Sequence, residues 1–174
     1  TDCVVNIAPD LVAKRDIVQN AIELAHALGI GKPKVALLSA VETVNPAIPG
    51  TIDAAALCKM ADRGQITGAV LDGPLAFDNA ISAASARNKG IASLVAGCPD
   101  ILLVPSLEAG NMLYKQLVYL AGAECAGVVL GLRVPIVLAS RSDSVASRIA
   151  SCALAVLAGT QRNAASALAM GSAA

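Results

Sequence analysis

The run Ile101-Leu102-Leu103-Val104-Pro105 sets the terms for the fold. Four aliphatic residues in succession suit a strand buried on both faces, and the proline that ends them cannot donate to a sheet ladder. After a short turn, Gly110-Asn111 opens a segment, Met112 to Leu120, with apolar residues at helical spacing. Strand, loop and helix start in that order bring Asn111, Tyr114 and Lys115 into the first turns of the helix. In open α/β sheets ligands collect there, where strand carboxyl ends face helix N-termini. Free N–H groups, an amide and a lysine together predict a cradle for an anion.

The same alternation runs along the rest of the chain. Cys3–Ile7 is a short strand ending before Pro9, and Asp10 caps a helix to about Leu28. Leu11, Ile17, Val18, Ala21, Leu24, Ala25 and Leu28 share one side of that helix, and Gly29 stops it. Lys34–Ser39 is the second strand, and Pro46 and Pro49 keep Ala40–Gly50 irregular. Thr51 to Arg63 is a helix ending at Gly64. Gly68–Leu71 is a third strand feeding the turn Asp72-Gly73-Pro74, and Asp78 to Lys89 is a small-residue helix. Gly127–Leu130 is apolar, and Pro135–Ala139 is a fifth core strand. Ser142 or Asp143 then caps a helix to about Leu157, and Gly159–Ala174 carries no clear turn signal. Strands alternating with helices give an α/β class, with a mainly parallel sheet sandwiched by helices.

A chain of 174 residues, 56% hydrophobic and 15% charged, supports one domain with a sizeable core, or one plus a piece of a second. Thirteen basic residues balance thirteen acidic ones, and Phe77, Tyr114 and Tyr119 are too few for a base-stacking platform, which excludes nucleic acid as a partner. Arg133 and Arg148 break the longest apolar stretches below the roughly 20 residues a bilayer span needs, so no membrane partner is expected. Five scattered cysteines (Cys3, Cys58, Cys98, Cys125, Cys152) without a C-x-x-C pair read as buried thiols of a cytoplasmic protein, with no zinc site. The start at Thr1, close to strand-like residues, suggests the C-terminal piece of a longer polypeptide.

Several motifs are ruled out. Gly29-Ile30-Gly31-Lys32-Pro33 looks like a phosphate-binding loop, but it follows a helix, has His26 in place of the first glycine and Pro33 in place of the hydroxyl residue. There is no G-x-G-x-x-G and no G-x-S-x-G, and His26, the single histidine, falls on the polar side of its helix. Three loops at strand carboxyl ends remain: Asp72-Gly73-Pro74, Ser106 to Lys115, and Ser140-Arg141. Each also suits a plain turn; their coincidence at strand ends favours a shared site. An arginine just past a strand matches two phosphate oxygens with its planar fork. A serine beside it can donate to a carbonyl oxygen becoming negative, a contact worth about 3 kcal/mol in a transition state.

The segment Pro105-Ser106-Leu107-Glu108-Ala109-Gly110-Asn111-Met112-Leu113-Tyr114-Lys115 resembles the P-x-L-x-x-G-N-x-x-Y-K signature of phosphate acetyl- and butyryltransferases. The resemblance extends upstream through Asp72–Asp78 and downstream through Gly122-Ala123-Glu124 and Gly131–Pro135 to Ser140-Arg141. The Asp72–Asp78 stretch and S-R-S-D-S at Ser140–Ser144 look closer to the butyryl branch, or to acyltransferase modules fused behind an enoyl-CoA hydratase-like domain. The resemblance implies a two-domain fold like that of isocitrate and isopropylmalate dehydrogenases, represented here by its C-terminal half. Residues 1–133 would be the inserted second domain and 134–174 the return to the first.

It also implies transfer of an acyl group between coenzyme A and inorganic phosphate, with CoA as substrate, no other cofactor and no metal. Ser140 and Arg141 would act at the reacting centre, while Asn111, Tyr114, Lys115, Asp72 and Gly73 bind phosphate or CoA. In the acetyl branch an aspartate six residues past the arginine helps deprotonate CoA. Here Ser147 stands there, and Asp143 is the local substitute. A homodimer is expected, to cover apolar surface. The alternative is a non-catalytic acyl-CoA-sensing domain regulating a larger enzyme, and a blander one is a dimerisation piece.

Overall fold

A computed structural model describes residues 1–171, with side chains described through Thr160. The chain divides into two compact units, Thr1–Lys115 and Gln116 onward. Helices α1 (Leu11–Ala27), α2 (Pro49–Asp62), α3 (Phe77–Ile81), α4 (Ala83–Asn88) and α5 (Leu107–Ala121) alternate with strands β1 (Lys34–Leu38), β2 (Val70–Leu75) and β3 (Ile101–Leu103). Then follow β4 (Val128–Val129), β5 (Ile136–Val137) and α6 (Val145–Gly171). Among the described residues no helix is long and apolar enough to cross a membrane.

In the first unit, β1 is the central strand of a parallel sheet ordered β2-β1-β3. Successive side chains of a strand point to opposite faces, so β1 serves two cores. Val35 and Leu37 pack with Val18 and Ile22 of α1 and Ala54 and Leu57 of α2. Ala36 and Leu38 pack with Leu75, Ala80, Val95 and Val104 on the other side. Each fully buried Leu or Ile contributes about 2 kcal/mol, which makes this strand the chief source of cohesion in the unit. The expected α/β class with a parallel sheet between helices is what the structure has.

Local chemistry explains where most elements start and stop. Asp10 accepts from Ala13 N–H at 2.8 Å and caps α1. Gly29, at φ +85°, takes the left-handed position after its last turn. Pro49 stands in the first turn of α2, where its missing N–H costs nothing. Lys14 of α1, almost wholly buried, meets Asp53 of α2 at 2.6 Å and ties the two helices together.

Other expectations are corrected. Cys3–Ile7 is not a strand, because the Asp2 carboxylate gathers the N–H groups of Val4, Val5 and Asn6 and bends the segment. The helix expected over Asp78–Lys89 breaks at Ser82, whose hydroxyl caps α4 by accepting from Ser85 N–H. Asp72-Gly73-Pro74 is not a turn but part of β2. His26 is half-buried, with Nε2 2.9 Å from the Gly68 carbonyl oxygen.

In the second unit, β4 and β5 form a two-stranded antiparallel sheet. The fifth core strand expected over Pro135–Ala139 shrinks to Ile136–Val137, and both residues are exposed. Helix α6 is capped not by Ser142 or Asp143 but by Ser144, whose hydroxyl accepts from Ser147 N–H at 3.1 Å. The helix continues past Leu157 through Gly171; the end of the expected tail, 172–174, lies outside the described residues. Cys98 and Cys152 are exposed and the other three thiols half-buried, so the expectation of buried cysteines fails.

Candidate active site

The candidate residues fall into both units: Asp72, Gly73, Asn111, Tyr114 and Lys115 in the first, Ser140, Arg141 and Asp143 in the second. The sheet's carboxyl edge shapes the first group. Leu107, not Gly110, begins α5, because Ser106 caps it: its hydroxyl accepts from Ala109 N–H at 3.4 Å and its carbonyl from Gly110 N–H at 3.0 Å. Leu107 N–H donates to the Ile7 carbonyl at 3.0 Å. The N–H groups of Leu107, Ala109 and Gly110 are therefore already engaged, and the anion cradle predicted at Gly110-Asn111 is not built.

Asn111, Tyr114 and Lys115 share one face of α5, at the spacing i, i+3, i+4. Asn111 Nδ2 donates to the Cys3 carbonyl at 3.3 Å and pins the N-terminal segment. The Lys115 ammonium lies 5.2 Å from the centre of the Tyr114 ring, a cation–π pair. Gly110 is buried under the same segment, and a Cβ there would meet Asp2 O at 2.8 Å.

Asp72 and Gly73 sit where β1 and β2 change register: Ala36 faces Asp72, yet Leu38 faces Leu75. Gly73 and Pro74 thus stand opposite Leu37 alone, a bulge. A Cβ on Gly73 would meet Leu37 Cβ at 2.6 Å and Leu37 O at 2.7 Å, so only glycine fits. Asp72 Oδ1 accepts from Gly73 N–H at 2.9 Å. Nearby, the Cys58 thiol is pushed up to about 11 by burial and by the Asp72 and Asp62 charges.

Just past the bulge lies a polar cluster that the sequence did not bring out. Lys89 Nζ is 3.3 Å from Glu42 Oε2 and 3.1 Å from the Asp78 carboxylate. The Ser85 hydroxyl and the Lys89 ammonium hold the Asp78 carboxyl below its usual value. Asn79, fully buried, donates to Glu42 at 3.2 Å. Its Oδ1 is the buried side-chain oxygen left without a partner among the described residues. The motif Asp72–Asp78 was legible, but nothing in sequence pairs it with Glu42, far upstream.

In the second unit the five residues Ser140–Ser144 form one closed turn. Asp143 Oδ2 accepts from Ser140 N–H at 2.6 Å, and Asp143 N–H donates back to the Ser140 carbonyl at 3.1 Å. Ser142 N–H approaches Ser140 Oγ at 3.4 Å. Arg148, one α6 turn further on, donates from Nη2 to the Arg141 carbonyl at 3.2 Å. The backbone of Ser140 and Arg141 is thereby clamped from both sides. The exposed Arg141 guanidinium has no hydrogen-bond or ion-pair partner among the described residues, and Arg141 directly follows Ser140 on the clamped turn. A planar cation next to a neutral donor can hold a phosphate group and a carbonyl oxygen at once. Sequence reasoning missed Ser142 and Tyr119, whose hydroxyls lie 3.1 Å apart. The S-x-S spacing within Ser140–Ser144 was the signal available for the first.

Residues 1–156 match the family described as phosphate acetyl/butaryl transferase. The chain is 67% identical over 165 residues to a phosphate acetyltransferase of Rhizobium meliloti, across 95% of this chain and 52% of that protein. It is 50% identical over 157 residues to phosphate butyryltransferase of Clostridium acetobutylicum, across 90% of this chain and 52% of that protein. A crystal structure of a branched-chain phosphotransacylase from Enterococcus faecalis V583 matches with a TM-score of 0.83 at 39% identity, over 91% of this chain and 56% of that one. The chain spans about half the length of the curated relatives it matches. With a family match over 156 of its 174 residues, the chain belongs to the phosphate acetyl/butaryl transferase family.

Proposed function

We propose that the protein transfers an acyl group between coenzyme A and inorganic phosphate in the cytoplasm, taking acetyl or butyryl groups. The observation that carries the reading is the clamped turn at Ser140–Ser144, on which Ser140 is followed by Arg141, whose exposed guanidinium has no hydrogen-bond or ion-pair partner among the described residues. In the direction from acyl phosphate, the CoA thiolate attacks the carbonyl carbon and the carbonyl oxygen becomes negative. Arg141 holds the phosphate, which then departs with the electron pair of the broken C–O bond. Ser140 donates to the oxyanion, and Asp143, through the oxygen not engaged by Ser140 N–H, takes the thiol proton. In the first unit, Tyr114 and Lys115 carry a ring and a cation suited to an anionic substrate. Asn111, through its bond to Cys3, and Asp72 and Gly73, through the bulge they form in β2, shape the binding surface of the first unit. Holding two anionic substrates in line is the larger part of such catalysis.

That the chain spans about half the length of its curated relatives supports a domain proposal as well. Residues 1–133 form the second domain of a two-domain protein of the isocitrate dehydrogenase type, and 134–174 return to the first. The exposed Val134, Ile136, Ile149 and Val156 then form the seat for upstream strands. The functional unit is a homodimer.

The test is phosphate-dependent release of free CoA thiol from acetyl- and butyryl-CoA, run on this chain and on a version extended upstream. Turnover in either supports the transferase, and turnover in the longer form alone supports the domain proposal as well. Acyl-CoA binding without turnover in both would replace the transferase with an acyl-CoA sensor.

A further inference from the structure

We propose that Ser142 and Tyr119 are positioning residues that set the direction of the Ser140 hydroxyl; the proposal rests on the acyl-transfer reading above. Asp143 and Arg148 fix the backbone of the turn, so what remains to be set at Ser140 is the rotation of its O–H. Three hydroxyls stand in a row. Tyr119 O–H donates to Ser142 Oγ at 3.1 Å, and Ser142 Oγ lies 3.0 Å from Ser140 Oγ.

A serine hydroxyl carries one proton and two lone pairs. Either serine could donate to the other, and the surroundings favour one direction. Ser142 N–H already points at Ser140 Oγ, which makes that oxygen an acceptor within its own turn. Ser142 Oγ receives the tyrosine proton and has its own proton to pass on. Passing it to Ser140 gives a chain of one sense, Tyr119 to Ser142 to Ser140, in which each bond polarises the next. Ser140 then accepts twice, and its single proton is left for an incoming carbonyl oxygen. With the opposite sense Ser140 would commit that proton to Ser142 and have none for a substrate. The row therefore holds both acceptor directions of Ser140 Oγ and leaves its proton to donate to substrate, which a lone serine with a free rotor would not ensure.

The test is a mutant cycle in whichever form of the protein turns over. Tyr119→Phe and Ser142→Ala should each lower kcat about threefold to tenfold, the range one net hydrogen bond commands. The KM for phosphate should stay within about twofold, because Arg141 is untouched. Ser142→Thr keeps the hydroxyl and should retain most of the rate. Adding Tyr119→Phe to Ser140→Ala should cost nothing further, since the chain has no end to act on. Full multiplication of the two losses, or an unchanged kcat in Tyr119→Phe, would overturn the proposal. If the wild type binds butyryl-CoA without turnover, the transfer reading fails and the same cycle is read on affinity by calorimetry. Coupled losses there support the row, and independent losses overturn it. Absence of both turnover and binding overturns both readings.

Discussion

Arg141 and Gly73 show how differently two residues of one motif set can matter. Arg141 is exposed and its side chain has no hydrogen-bond or ion-pair partner among the described residues, so Arg141→Ala should leave the unfolding midpoint nearly unchanged. Its loss should still lower kcat/KM by about two orders of magnitude or more, measured by thiol release, because the transition-state charge loses its clamp. Gly73→Ala should do the reverse. Its Cβ would press on Leu37 Cβ and O, and we expect about 2 kcal/mol of destabilisation in urea unfolding, in the range typical of overpacking. Asp2 gives a pH dependence. Burial pushes its carboxyl up, but bonds from Val4, Asn6 and Val5 N–H and from the Asn6 side chain outweigh this and leave it below its ordinary 3.8. A carboxyl depressed in the fold stabilises fully above 3.8 and loses that contribution as pH falls through its folded value. The N-terminal bend should therefore loosen only below about pH 4, read by NMR on the Val4–Asn6 amides, and Asp2→Asn should loosen it at neutral pH. At this scale the sequence was readable where a residue type has one use, as with the capping Asp10. It was unreadable where partners are distant, as with Asn111 on Cys3 or Asn79 on Glu42.

Between elements, the clearest dependence is the Lys14–Asp53 pair that joins α1 to α2. Asp53→Ala would leave the buried Lys14 ammonium without its counter-charge, and we expect a loss of about 3 kcal/mol in chemical unfolding. Lys14→Met, which removes the buried charge and keeps the volume, should cost much less, and equal losses would show that packing rather than charge joins the helices. Element existence was largely legible, since α1, β1, α2, β3 and α5 lie where periodicity puts them. The boundaries that moved did so for local reasons. Ser106 caps α5 a turn before the glycine that looked like its start. Proline normally argues against a strand, and Pro74 is tolerated because β2 is an edge strand, with a side that needs no donor. The expected core strand at Pro135–Ala139 shrank because, of the five residues expected there, only Ile136 and Val137 pair, and they pair with β4 alone.

For the molecule as a whole, the α/β class was evident from alternation, while the division into two units at Lys115 was not, because α5 runs through it without a break in helical pattern. The exposed aliphatic residues around β5 and α6 lead to a prediction about the longer protein. If they seat upstream strands, the 174-residue chain should bind an apolar-surface dye several-fold more strongly than the extended form, and equal binding by both would count against the domain proposal. Sedimentation of the extended form should give a dimer. The double role of β1 has a consequence of its own. Both faces of that strand are covered and both of its edges are hydrogen-bonded, so its peptide N–H groups reach water only when the two cores open together. The amides of Val35 to Leu38 should thus be the last in the first unit to exchange with deuterium, at a free energy close to that of global unfolding.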